Sequence, residues 1–183
     1  MSINKSNLEA FLNKADRLIK RKDLDLSSGE DLSIGIMNLI SIEEHLFFTS
    51  QKTKDKKYLD LLDEIRRMRT ELMKEIIKDY EGEVWCISKH LLAASMRLME
   101  VGTKELKLGN KDKAWRLFDK SYKLYSLFWG INLNVIQVDQ VRQAEQEKEE
   151  VKFIDEKNEE KGKESVFSKL GVLVQKAIDC CKE

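Results

Sequence analysis

Cys86 and His90 stand four residues apart, and Glu43, Glu44 and His45 are consecutive. These are the side chains whose types suit metal binding, nucleophile activation or proton transfer. Residues at i and i+4 share one face of a helix, so Cys86 and His90 would supply half of a zinc site, or a thiol with an imidazole beside it. The sequence around them lacks the other half. The chain has only two histidines, and Cys180 and Cys181 would have to fold back to complete a ligand set. The face that carries Cys86 and His90 also carries Lys89, Arg97, Glu100 and Lys104, which marks it as a solvated face. Glu43, Glu44 and His45 diverge around a helix instead of converging on an ion. Carboxylate di-metal bundles use Glu-x-x-His on two helices, and that motif is absent. A small-molecule or metal-binding enzyme using Glu43, His45, Cys86 and His90 is therefore the alternative reading. No catalytic, cofactor-binding or metal-ligating residue is assigned, and no cofactor is expected.

A different pair of charges interrupts two apolar stripes. Leu32, Ile36, Leu39, Ile40, Leu46 and Phe47 share one helix face, with Glu43 in their midst. Tyr58, Leu62, Ile65, Leu72, Met73, Ile76 and Tyr80 share another, with Arg69 at its centre. The turn between the two segments is short, so they form antiparallel neighbours, and folding about residues 52–54 brings Arg69 within reach of Glu43. The pattern reads as a buried ion pair that sets helix register. In the functional reading Glu43 lines a polar cavity with His45 or His90 nearby.

The elements that must position these groups are all helical. Not one proline occurs in 183 residues, as fits uninterrupted helices, because proline removes a backbone donor and clashes with the preceding turn. The spacing predicts helices from Ser6 to Lys22, from the Ser27–Glu30 capping box to Thr49, from Lys57 to Tyr80, from Glu83 to Leu108, and from Lys111 past Val141. Gly109 stands where a helix C-terminus favours glycine. The expected fold is all-α: an antiparallel bundle of about five helices over residues 1–142. Residues 143–164 form a charged linker or exposed helical extension, in which 14 of 22 residues are charged. Residues 165–183 form a tethered amphipathic helix, with Phe167, Leu170, Val174 and Ile178 on its apolar half as candidate partner-docking residues.

Leu98, Gly102, Gly109, Ala114 and Phe118 run as Leu-x3-Gly-x6-Gly-x4-Ala-x3-Phe. That spacing resembles a single tetratricopeptide repeat over residues 98–121. The resemblance implies a helical hairpin in which small residues let two antiparallel helices pack closely, and in the family stacked repeats form a groove for a partner peptide. This chain departs from the pattern at Glu105, where the family has an aromatic, and no second copy follows at a period of about 34 residues. Whole-chain membership is not implied.

Lys+Arg and Asp+Glu number 33 each, so no net field draws the chain to nucleic acid or to an anionic membrane. Six of the 14 aromatics fall between Trp115 and Trp129. Lys113, Arg116, Lys120 and Lys123 lie mainly opposite them, unlike the shared surface of a single-strand binder. The stripe is accordingly expected to be core, with one edge available to form a groove, and Trp115, Phe118 and Tyr122 are expected to pack inward with little exposure. Lys52, Lys54, Lys56 and Lys57 read as a solvated turn. An RNA-associated bundle is a further alternative, though the Arg-x4–6-His motif of HEPN-type ribonucleases is absent. The start lacks the apolar core of a signal peptide, no run approaches a membrane span, and three cysteines give no disulfide framework, so the expected compartment is the cytoplasm. The first functional expectation is a non-enzymatic interaction or adaptor protein that binds a partner helix or a second copy of itself.

Overall fold

The computed structural model describes residues 13–14, 17, 27–78, 82–136 and 167–175. Four long helices follow one another: α1 (Ser27–Thr53), α2 (Lys57–Ile76), α3 (Glu83–Lys107) and α4 (Lys111–Asn132). A shorter helix, α5, covers residues 167–175. The protein is an all-α helical bundle. Most of the segment from Ser6 to Lys22, the linker 143–164, the side chain of Ser27, and Tyr80, Ile178, Cys180 and Cys181 lie outside the described residues.

Local chemistry sets the helix ends. After α3, Gly109 takes φ +82°, the Asn110 N–H donates to the Glu105 carbonyl at 2.9 Å and the Gly109 N–H to the Leu106 carbonyl at 3.0 Å. This is a Schellman cap, and glycine enters it without the Cβ penalty. The same device closes α4. Asn134 takes φ +56°, and the N–H groups of Val135 and Asn134 donate to Gly130 and Ile131. The helix from Lys111 thus stops at Asn132, short of Val141, because asparagine tolerates the left-handed region and satisfies the last carbonyls. At the α1–α2 turn the Asp55 carboxylate accepts the Lys57 N–H at 3.0 Å and pairs with the Lys57 ammonium at 2.9 Å. The hydrogen bond from Lys57 holds the Asp55 carboxyl below its usual range.

The helices pair as two antiparallel hairpins, α1–α2 and α3–α4. In the second, Ser95 Oγ bonds the Ser121 carbonyl at 2.9 Å and Ser121 Oγ returns to the Ser95 carbonyl at 2.7 Å. Further along, Asn132 donates to Ser88 Oγ at 3.0 Å. The hairpins share one core made of Ile36 and Met37, Met73 and Ile77, Leu91 and Leu92, and Phe128 and Trp129. These positions belong to the first half of α1, the second half of α2 with the residue that caps it, the first half of α3 and the second half of α4, so the core sits at one end. Past Glu43 the α1–α2 hairpin carries Phe47, Phe48, Leu59 and Leu61 in exposed positions.

Two glycines on long helices make a sharp contrast. A Cβ on Gly102 would lie 2.6 Å from the Phe118 ring, whereas one on Gly35 meets nothing within 4 Å. Gly35→Ala is expected to raise stability by about 0.5–1 kcal/mol through helix propensity alone. Gly102→Ala is expected to lower it by about 1 kcal/mol, because overpacking exceeds that gain. Denaturant melts that show the same sign for both would mean that the Phe118 ring yields freely.

Over its described part the tail packs against the bundle. Leu170 and Leu173 are wholly buried and Val174 joins the main core. Gly130 on α4 lacks the Cβ that would approach Leu170 to 2.8 Å, and the Tyr122 hydroxyl donates to the Gly171 carbonyl at 2.9 Å. Leu170 and Val174, read from the sequence as partner-docking residues, fill the chain's own bundle, and Phe167 is half-buried. The physical reason is Gly130 on α4, whose missing Cβ leaves room for Leu170 of this helix.

Candidate functional site

Glu43 and Arg69 meet across the α1–α2 hairpin. Arg69 Nε donates to Glu43 Oε1 at 2.7 Å and its terminal nitrogen to Oε2 at 3.3 Å. The side chains are 5% and 13% exposed, and Arg66 Nε stands 3.4 Å from the same carboxylate. Both oxygens of Glu43 are thus engaged by guanidinium groups. His45 lies on the exposed face of α1, and Cys86 and His90 are exposed on α3. Among the described residues no group of three or more histidines, cysteines or carboxylates converges. Lys52, Lys54, Lys56 and Lys57 are all exposed around the α1–α2 turn.

The site that the structure assembles was not assigned from the sequence. A cleft of about 740 Å³ opens between α1 and the α3–α4 hairpin. From α1 it takes Glu30, Ile34 and Met37; from α3, Ser95, Met96 and Met99; from α4, Phe118, Ser121, Tyr122 and Tyr125; from α5, Val174 and Gln175. Helical spacing explains the lining. Glu30, Ile34 and Met37 are four and three apart on α1, as Phe118, Ser121, Tyr122 and Tyr125 are on α4. The aromatic stripe therefore does not pack wholly inward. Tyr122 is 44% and Trp115 74% exposed, and Phe118 closes on Gly102 while also facing the cleft. The correction follows from where the α1–α2 hairpin lies: it covers the Trp129 end of α4, through Gly29 beneath the Trp129 ring, and leaves the Trp115 end open.

The polar groups in the cleft are mostly spent within the protein. The Tyr125 hydroxyl and Ser33 Oγ lie 2.7 Å apart and share a hydrogen bond. Tyr122 is bound to Gly171, and Ser95 and Ser121 to each other. Burial pushes both phenols above their ordinary range, so they stay neutral and act as walls. Glu30 differs. Burial, and after it the charge of Asp31, raises its carboxyl. The ion pair between Glu44 and Arg97 links α1 to α3. What remains is an apolar trough rich in methionine, a residue whose flexible thioether adapts to varied partners.

No protein-family model matches the chain, and no curated protein or solved structure is significantly similar to it. Among the described residues no helix is long and apolar enough to cross a membrane.

Proposed function

We propose that this is a non-enzymatic interaction protein that takes the apolar face of a partner helix into the cleft between α1 and the α3–α4 hairpin. The observation that carries this reading is the rim. Ile34, Met99 and Tyr122 line the cleft yet remain 42%, 44% and 44% exposed. Apolar side chains around an open trough suit a ligand that extends beyond it, and helix-in-groove binding uses anchors at i, i+3, i+4 and i+7. On α4, Phe118 and Tyr125 are two turns apart, about 10 Å along the axis, the span of such a set of anchors. The cleft volume supports a second reading, a drug-sized apolar molecule, since such pockets run from roughly 300 to 1,000 Å³.

The test is selection of displayed helical peptides against the immobilised full chain. Peptides with apolar anchors at i, i+3, i+4 and i+7 should be enriched, and each should weaken at least about tenfold on Met99→Lys, which places a charge at the rim. The melting temperature should hold, because Met99 is already exposed. No enrichment, or enriched peptides indifferent to Met99→Lys, would refute helix binding in this cleft.

A further inference from the structure

Charge in the cleft is confined to one end. Glu30 is the only carboxylate among the described lining residues, and it belongs to the first turn of α1. Met37 lies two turns further along α1, about 10 Å away along the axis. No lysine or arginine among the described residues pairs with Glu30, whereas Glu43, Glu44 and Glu105 each hold a cation. Asp31 adds a second negative charge beside it, and the two together raise the cost of burying Glu30 alone. The neighbouring hydroxyls are already committed: Ser33 donates to the Glu30 carbonyl at 2.7 Å, and Tyr122 to Gly171. The carboxylate is thus a partly buried negative charge with no cation beside it among the described residues.

We propose that the occupant of the cleft is a basic amphipathic helix. Its apolar face lies along Met37, Met96, Met99 and Phe118, and a lysine or arginine at one end of that face reaches Glu30. The inference rests on the helix-binding reading and adds to it a charge and a direction: a cation at the Glu30 end pairs with the carboxylate and offsets the repulsion from Asp31. A partner helix with an acidic residue there would be rejected by like charge.

The probe is a set of three fluorescein-labelled amphipathic helices of about 18 residues. They share one leucine face and differ only in having Lys, Gln or Glu at its end. Anisotropy titrations of the full chain are expected to give the order Lys, Gln, Glu, with Lys ahead of Gln by about fivefold at low salt and less at high salt. Glu30→Gln should bring the three affinities together with little change in the melting curve, since among the described residues no side chain pairs with the Glu30 carboxylate. If the three peptides bind alike and all weaken on Met99→Lys, the basic end is wrong and the cleft reading stands. If Met99→Lys changes nothing, both fail. A dimer that Met99→Lys dissociates in sedimentation would assign the cleft to a second copy. Crosslinking of a benzophenone side chain at position 99 to the same chain would assign it to the protein's own segment. Either result would overturn the basic-helix partner.

Discussion

Glu43→Gln is expected to destabilise the protein by about 3–5 kcal/mol, the cost of leaving a buried charge without its partner. Arg69 is 4% exposed, and beyond Glu43 its contacts are Thr70 Oγ1 at 3.4 Å and Met73 Sδ at 3.7 Å. Neither offsets a desolvated guanidinium. The reverse change is expected to cost less, about 1–2 kcal/mol, because Arg69→Met leaves Glu43 with Arg66 at 3.4 Å and with some access to water. The double variant should then regain at least about 2 kcal/mol over the sum of the single changes. Urea melts of the four proteins measure all three quantities. Additivity within about 0.5 kcal/mol would show that the pair contributes geometry without coupling.

Leu170→Ala is expected to cost about 2–5 kcal/mol, as for a fully buried leucine that leaves a cavity. Its side chain is 0% exposed and lies over Gly130 of α4. Val172, two residues away and 39% exposed, serves as the control, and Val172→Ala should change stability by no more than about 0.5 kcal/mol. A Leu170→Ala protein that melts with the wild type would show that the segment contributes nothing to the bundle, as the tethered-helix reading of the sequence holds. A cooperative loss in a single transition would place α5 in the same folding unit as α1–α4.

Much of the architecture was legible residue by residue. The absence of proline and the 3,4 spacing of apolar residues call for helices, because both are properties of one segment at a time. Gly109 marks the end of α3 because only a residue that tolerates positive φ completes the Schellman cap. Asn134 carries the same signal more faintly, which is why α4 reads too long in sequence and stops at Asn132 in the structure. Glu43 and Arg69 stand out in sequence because each interrupts an apolar stripe, and a short turn leaves them one partner geometry.

The cleft and the seat of α5 are decided by tertiary structure alone. The spacing of Trp115, Phe118, Tyr122 and Tyr125 says that they share a face, and sharing a face is the same whether a neighbour covers it or not. The α1–α2 hairpin meets α4 near Trp129 and not near Trp115, so one periodic stripe becomes core at one end and open trough at the other. The amphipathic pattern of 165–181 likewise demands a cover for its apolar half without naming it. Gly130 names it, by leaving space on α4 that Leu170 enters. Periodicity is local and sets which residues point together; which surfaces remain uncovered depends on the relative placement of whole helices, a property that no single segment of the chain carries.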